Sequence, residues 1–313
     1  VSASQALSGM TAGLQVMQSS GTPYNEGFSF NIRGVGTLNS SSPLVLVDGM
    51  EQSLNNVDPN DIASISILKD AASCAIYGNR GANGVILVTT KTGQTGKVSV
   101  SYNATFSLNQ PTKLIKTVSN YAKYMELMNE AATNIGESAP FSDITINQWR
   151  EAEKDPNGIS ASGYPNYVAY PNTDWAQILF QPAFYQKYGV NVSGGSKNTT
   201  YLLSLGYQDN PGTLDNTSME RFNIRANVET KIADIITFGT QTYGTKEFKD
   251  PGSTSMTYLL QAWPGQTPIY DGKYGASEHP EVTQKDNILQ QVAAQGGQNT
   301  YTRLNTTWYA NIE

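Results

Sequence analysis

The stretch with the most chemical promise is Ile67 to Gly93, ILKDAASCAIYGNRGANGVILVTTKTG. In it Gly78, Gly81 and Gly84 recur around Arg80, between a short helix and an apolar strand. Glycines with an arginine are the material of a phosphate cradle. The order of elements argues against one. A cradle sets its glycines before a helix, so that free N–H groups and the positive dipole end meet the anion. Here the helix is predicted over 70–77 and the glycines follow it. Gly78 is placed as a C-cap, at the negative dipole end, and Gly81 and Gly84 let the chain fold back and launch a strand over 84–90.

Other reactive types are sparse. Cys74 is the single cysteine, which excludes an intrachain disulfide and a cysteine zinc site; it reads as a small buried helix residue. His279 is the single histidine, in the loop-like ASEHPEV, so no multi-histidine metal site or Ser-His-Asp set can be assembled around it with support. Asp58 and Asp61 in VDPNDI lack the oxygen-rich loop of a calcium site and read as Asx-type turn residues, and Asp48 before Gly49 reads as a turn cap. No enzyme, cofactor or metal is expected.

Composition points elsewhere. The 313 residues are 15% charged, below the roughly 25% of ordinary soluble domains. Ser, Thr, Asn, Gln and Gly fill the difference, with 18 Tyr and 4 Trp. Such a balance suits a β-rich protein with one face away from water. The net charge of −6 and the lack of a basic stripe exclude nucleic acid as a partner. No apolar run of about 18 residues exists, so no transmembrane helix is expected; barrel strands, which need only alternate, stay open. The start VSASQALSG has neither Met nor signal peptide and reads as the interior of a longer precursor.

Two grammars divide the chain. Residues 1–95 mix short helices and strands, as a small α+β domain of about four or five strands does. From Lys97 the period is two. In KVSVSYNATFSLN, Val98, Val100, Tyr102, Phe106 and Leu108 oppose Ser99, Ser101, Asn103, Ser107 and Asn109. RFNIRANVE sets Phe222, Ile224 and Val228 against Arg221, Asn223, Arg225 and Asn227, and RLNTTWYANIE repeats the pattern, with Arg303 on its polar face. Further strands are predicted over 185–193, 199–208 and 235–245. Their connections run long (110–184), tight (194–198), medium (209–220), tight (230–234) and long (246–302). Every long loop therefore emerges at one end of the strands, as in outer-membrane barrels. Strands of about 10 residues tilted by about 45° also span the ~25 Å apolar band. Six strands cannot close: they would leave two unpaired edges in lipid, and the barrels that hold a domain in the lumen have about 22 strands.

The long loops carry their own helices. SNYAKYMELMNEAATN has Ser119 as N-cap with Tyr121, Tyr124, Met125 and Met128 on one face, and DITINQWREAEKDP is a second helix. The later loop concentrates Tyr258, Trp263, Tyr270 and Tyr274. These rings either stack on a solute such as a sugar or pack the loops; packing is the weightier reading.

Several segments together resemble the TonB-dependent outer-membrane transporters, and within them the SusC/RagA-like group. They are ALSGMTAGLQVMQSSGTP, FNIRGVGTLNSSSPLVLVDG, VDPNDIASISILKDAASCAIYGNRGANGVILVTTKTGQTGK and TDWAQILFQPAFYQKYGVNVSGGSKNTTYLLSLGY, covering most of residues 1–248. The resemblance implies an α+β plug domain (1–95) followed by the first ~6 antiparallel strands of a large transmembrane β-barrel of about 22 strands (96–313). It implies import of oligosaccharides or peptides across the outer membrane of a Gram-negative, Bacteroidetes-like cell. The implied partners are a SusD-like surface lipoprotein and, through a segment before Val1, the TonB–ExbB–ExbD complex. The rivals are a siderophore or vitamin receptor of the wider class and a surface glycan-binding β protein. Candidate ligand contacts are Thr37, Asn39, Ser40 and Ser41 at the plug tip, with Tyr258, Trp263 and Tyr270; an ordinary polar turn is the competing reading of the tip. Candidate plug–barrel contacts are Arg33, Arg80, Arg221 and Arg225.

Overall fold

The computed structural model describes residues 4, 7, 14–23, 28–32, 41–232, 235–252, 262–275, 287–294 and 296–312. In the N-terminal unit, β1 (Leu14–Gln18) pairs antiparallel with β2 (Phe28–Ile32). Beside them lie β3 (Leu44–Val47), β4 (Met50–Glu51), β5 (Ile62–Leu68) and β6 (Val85–Thr90), in the order β4-β3-β6-β5. The central pair, β3 and β6, is parallel and reads as unbroken apolar runs, LVLV and VILV, because both faces are covered. Val47, Val85, Ile86 and Val88 are buried in it. Asp48 and Gly49 both take positive φ, 49° and 82°, and so close a two-residue hairpin between β3 and β4.

The stretch from Ile67 to Gly93 folds as strand, helical turns, strand, with one correction. The helix expected over 70–77 is split into α1 (Ala71–Cys74) and a 3-10 segment, Ala75–Gly81. Gly78, at φ 58° and ψ −144°, leaves the helical path within the 3-10 segment and kinks it. Gly84 has φ +93°, and a β-carbon there would stand 2.7 Å from Ile32 Cδ1 and 3.1 Å from the Leu68 carbonyl oxygen. Only glycine lets β6 start this close to β2.

The remaining elements are β7 (Gly96–Asn109), α2 (Tyr121–Asn134), α3 (Asp143–Lys154), α4 (Asn166–Ala169), α5 (Trp175–Leu179), β8 (Ala183–Gly195), β9 (Thr199–Pro211), β10 (Ser218–Ile232), β11 (Ile236–Asp250), the hairpin β12 (Ile269–Tyr270) and β13 (Lys273–Tyr274), α6 (Ile288–Ala294) and β14 (Asn299–Ile312). The long strands form one antiparallel sheet of six in the order β14-β11-β10-β9-β8-β7. They extend beyond the predicted ends, which shrinks the middle connection to 212–217 and leaves 110–182 and 251–298 as the long ones.

Alternation sets the two faces. Lys187, Ser204, Arg225, Asn227, Thr245 and Glu247 are buried on the face that meets the N-terminal unit, while Leu203, Leu205, Phe222, Ile224, Val228 and Phe238 are exposed on the other. Near the long-loop end the outer face carries a row of rings. Phe106 meets Phe184 at 6.0 Å and Tyr188 at 5.6 Å, Tyr188 meets Tyr207 at 6.3 Å, Tyr207 meets Phe222 at 4.8 Å, and Phe222 meets Phe248 at 6.4 Å.

The two long connections fold onto each other. Tyr121, Met125, Phe141, Ile146 and Trp149 form one core, against which Trp263 packs; Trp175, Leu179, Ile288 and Val292 form another. Trp175 Nε1 donates to the Trp263 carbonyl at 2.8 Å, joining them. The first long helix is capped by Asn120, not Ser119, because the Asn120 side chain reaches the Lys123 N–H at 2.8 Å. Tyr121 and Met125 are buried as the stripe predicted, whereas Met128, 39% exposed, has left it.

Candidate functional site

The densest set of buried polar contacts lies where the N-terminal unit meets the inner face of the six-stranded sheet. Two 3-10 turns build its first half. Leu54–Asn56 is capped by Ser53, and Pro59–Asp61 by Asp58, whose carboxylate accepts from the Asn60 N–H at 2.9 Å. These turns present backbone carbonyls and two carboxylates along one edge. The sheet supplies the other half, because residues two apart on a strand share a face.

Arg225 sits at the centre, 2% exposed. Its Nε lies 3.2 Å from Asp61 Oδ2, and its Nη1 lies 3.2 Å from Thr90 Oγ1 and 3.4 Å from Asp48 Oδ2. Asp48 is fixed in turn by Thr90, whose N–H donates to Oδ1 at 2.9 Å and whose hydroxyl donates to Oδ2 at 2.7 Å. Asp61 Oδ1 accepts from Ser204 Oγ at 2.8 Å. The guanidinium also lies 5.0 Å over the Tyr243 ring, whose hydroxyl donates to the Asn56 carbonyl. One arginine thus holds two aspartates of separate turns.

Flanking contacts continue the seam. Lys187 Nζ pairs with Asp58 Oδ1 at 2.9 Å, and Asn227 Nδ2 donates to the Lys91 carbonyl at 2.9 Å. Arg221 Nη1 donates to the Asn55 carbonyl at 2.9 Å, while its Nη2 pairs with Glu247 at 2.7 Å; Glu247 also meets Lys249 at 2.8 Å. Asn60 reaches Asn103 on β7 at 3.3 Å. Burial raises the Asp61 pKa above the ordinary carboxylate value, against the opposing pull of Ser204 and Arg225, and neighbouring Asp58 adds to the rise. Removing one partner of such a buried pair costs about 3–5 kcal/mol, since a charge is left unpaired.

The sequence candidates fall into distinct places. Arg221 and Arg225 lie in the seam, on the polar phase of β10. Arg80 does not: it pairs with Glu51 inside the N-terminal unit, on an exposed surface, because the early break at Gly78 turns its segment back toward β4. Ser41 donates to Asn31 at 2.7 Å. Trp263 packs 5.5 Å from the Tyr124 ring and 6.4 Å from Tyr121. Tyr270 meets Tyr164 at 5.8 Å beside a loop cavity. Thr37, Asn39, Ser40, Tyr258 and Arg33 lie outside the described residues. Asp48, Asp61, Lys187 and Ser204 were missed as contacts. The aspartates were fully explained as turn residues, and nothing local marks a lysine or serine as facing a partner over a hundred residues away.

The comparisons with known proteins bear on this arrangement. Residues 1–85 match the family model of the TonB-dependent receptor plug domain. TonB-dependent receptor P26 of Formosa agariphila is 35% identical over 280 residues, 86% of this chain and 26% of its own length. TonB-dependent receptor SusC of Bacteroides thetaiotaomicron is 33% identical over 234 residues, 71% of this chain and 20% of its own. The RagAB peptide transporter structure superposes with a TM-score of 0.76 at 26% identity, over 98% of this chain and 37% of that one. The chain belongs to the SusC-like TonB-dependent receptors. It spans about a quarter of the length of the curated relatives named here. Among these receptors the N-terminal unit is the plug domain, so the Arg225 seam is a contact between the plug and the long strands.

Proposed function

We propose that the whole protein is an outer-membrane importer in which residues 1–95 form the plug and 96–313 begin a barrel of about 22 strands. The plug closes the lumen, held by the Arg225–Asp61–Asp48 cluster, and inner-membrane energy delivered through TonB, ExbB and ExbD releases it. The solute is an oligosaccharide or peptide, handed over by a SusD-like surface lipoprotein on the long-loop side. The cell is a Gram-negative one of Bacteroidetes type. The observation that carries this reading is the placement of a separately cored plug on the polar face of strands whose opposite face is apolar and ringed with aromatics, an arrangement suited to a filled barrel in lipid. A surface glycan-binding β protein has no use for that outward face.

Gene deletion tests the proposal. The deletion strain is grown on single oligosaccharide or peptide carbon sources beside a strain lacking TonB. The expected result is one source on which both fail and plasmid-borne wild-type protein restores the first. Equal growth of the deletion strain on every source would overturn it.

A further inference from the structure

The apolar face of the long strands carries a groove of about 670 Å³, on the side away from the plug seam. Two neighbouring rows of outward side chains make it, in register across the sheet. The row nearer the long connections runs through Tyr207, Phe222, Lys246 and Thr302, and the next one deeper through Leu205, Ile224, Gly244 and Leu304. Gly244 is the gap in the deeper row. Its neighbours there carry apolar side chains, and a β-carbon on it would stand 3.0 Å from Ile224 Cγ2 and 3.5 Å from Leu304 Cδ1. Leu205, Ile224 and Leu304 stay 48%, 45% and 71% exposed, so the walls are apolar and open outward.

Lys246 closes the end nearer the long connections. It is exposed, its ammonium lies 5.0 Å over the Phe248 ring, and among the described residues it has no ion-pair partner. Glu220, opposite Phe248 in register, is engaged by the Tyr207 hydroxyl at 2.8 Å. A lysine on a lipid-facing wall snorkels to the headgroups whatever lies beneath it. Here a groove lies beneath it.

We infer that this groove seats one acyl chain of a lipid A molecule of the outer leaflet, with the lipid's phosphate paired to Lys246. Ammonium and phosphate make a charge-assisted hydrogen bond, and basic side chains at the membrane surface select anionic headgroups. Beside Lys246, the Thr302 hydroxyl offers a second polar contact to the phosphorylated sugar. Lipid tails are as apolar as leucine, so a chain held in the groove gains by packing, through contacts that a smooth wall does not provide. The rigid sheet leaves little ordering for binding to cost. The inference rests on the barrel reading for which face meets lipid and which end lies outward, and on no solute.

The test is native mass spectrometry of delipidated full-length protein in detergent, titrated with monophosphoryl lipid A, its dephosphorylated form and phosphatidylethanolamine. A single lipid A adduct is expected, about tenfold tighter than either of the other lipids. Lys246→Gln should bring lipid A down to the level of the dephosphorylated form. Gly244→Leu, in extended strand backbone, fills the groove and should weaken both forms by about tenfold, with the heat-modifiable band retained. Lys246→Gln, at an exposed position, keeps the test usable should Gly244→Leu fail to assemble. The site is overturned by equal binding of the dephosphorylated form or of phosphatidylethanolamine, by binding that both variants leave intact, or by a protein dimer that carries no lipid. A protein that fails the titration but keeps its heat-modifiable band and supports TonB-dependent growth loses the groove and keeps the import reading. Lipid A binding beside a deletion strain that grows equally on every source keeps the groove and loses import.

Discussion

Arg225 is the residue on which the docking of the plug turns. Truncating it to Ala leaves Asp61 buried without its cation, and the expected cost is about 3–5 kcal/mol of plug attachment. Limited proteolysis of full-length protein in detergent should show the plug cut at lower protease concentration, with the long strands unaffected. Asp61→Asn removes the charge from the other side and should cost less. In a double-mutant cycle the two changes should couple, because they share one contact at 3.2 Å. The pH response has a definite sign. Burial raises the Asp61 pKa, so docked plug binds more protons at this site than released plug, and its contribution favours docking at low pH and weakens as pH rises through the raised pKa. The wild-type protein minus the Asp61→Asn protein should therefore show docking that falls as pH rises from the ordinary carboxylate range through the raised pKa; a difference that grows instead would contradict the assignment. The inward phase of Arg225 was legible from RFNIRANVE. Its partners were not, since Asp61 lies 164 positions earlier and its turn role already accounted for it.

At the scale of elements, local rules carried most of the fold. Period-two alternation located the long strands, and Gly78 and Gly84 announced a turn after a helix because positive φ there, 58° and 93°, suits glycine. Strand ends and the helix cap were misplaced by small steps. Asn120 and Ser119 are both good caps, and only the direction of the chain entering α2 decides between them. Gly84→Val tests the plug turn. A β-branched residue at this φ, against Ile32 and the Leu68 carbonyl, should destabilise the plug by more than 2 kcal/mol, on the order of a strained core overpacking, as read by urea denaturation of the plug-specific signal. Asn120→Ala should cost only about 1 kcal/mol, confined to the outer loops.

For the whole molecule, the asymmetry of connections foretold which end the loops occupy, and the rings on the outer face give the sheet a vertical reference. Phe248 and Phe238 lie ten residues apart on β11, about 33 Å along the strand at 3.3 Å per residue, or roughly 25 Å across a bilayer at ordinary tilt. Leu203 falls between these levels on the exposed face. Leu203→Arg should cost about 2–4 kcal/mol and lower the amount of protein assembled in the outer membrane, seen as loss of the heat-modifiable band. The most direct test of a plug that is docked on the strands and must leave them is a reversible staple. Asn60 and Asn103 touch across the seam at 3.3 Å without taking part in the ion pairs. Full-length Asn60→Cys/Asn103→Cys protein should form a disulfide in outer-membrane preparations and lose TonB-dependent growth, and reductant should restore growth while either single variant grows normally. Failure of the disulfide to form, or undiminished growth with it formed, would contradict the docked and releasable plug.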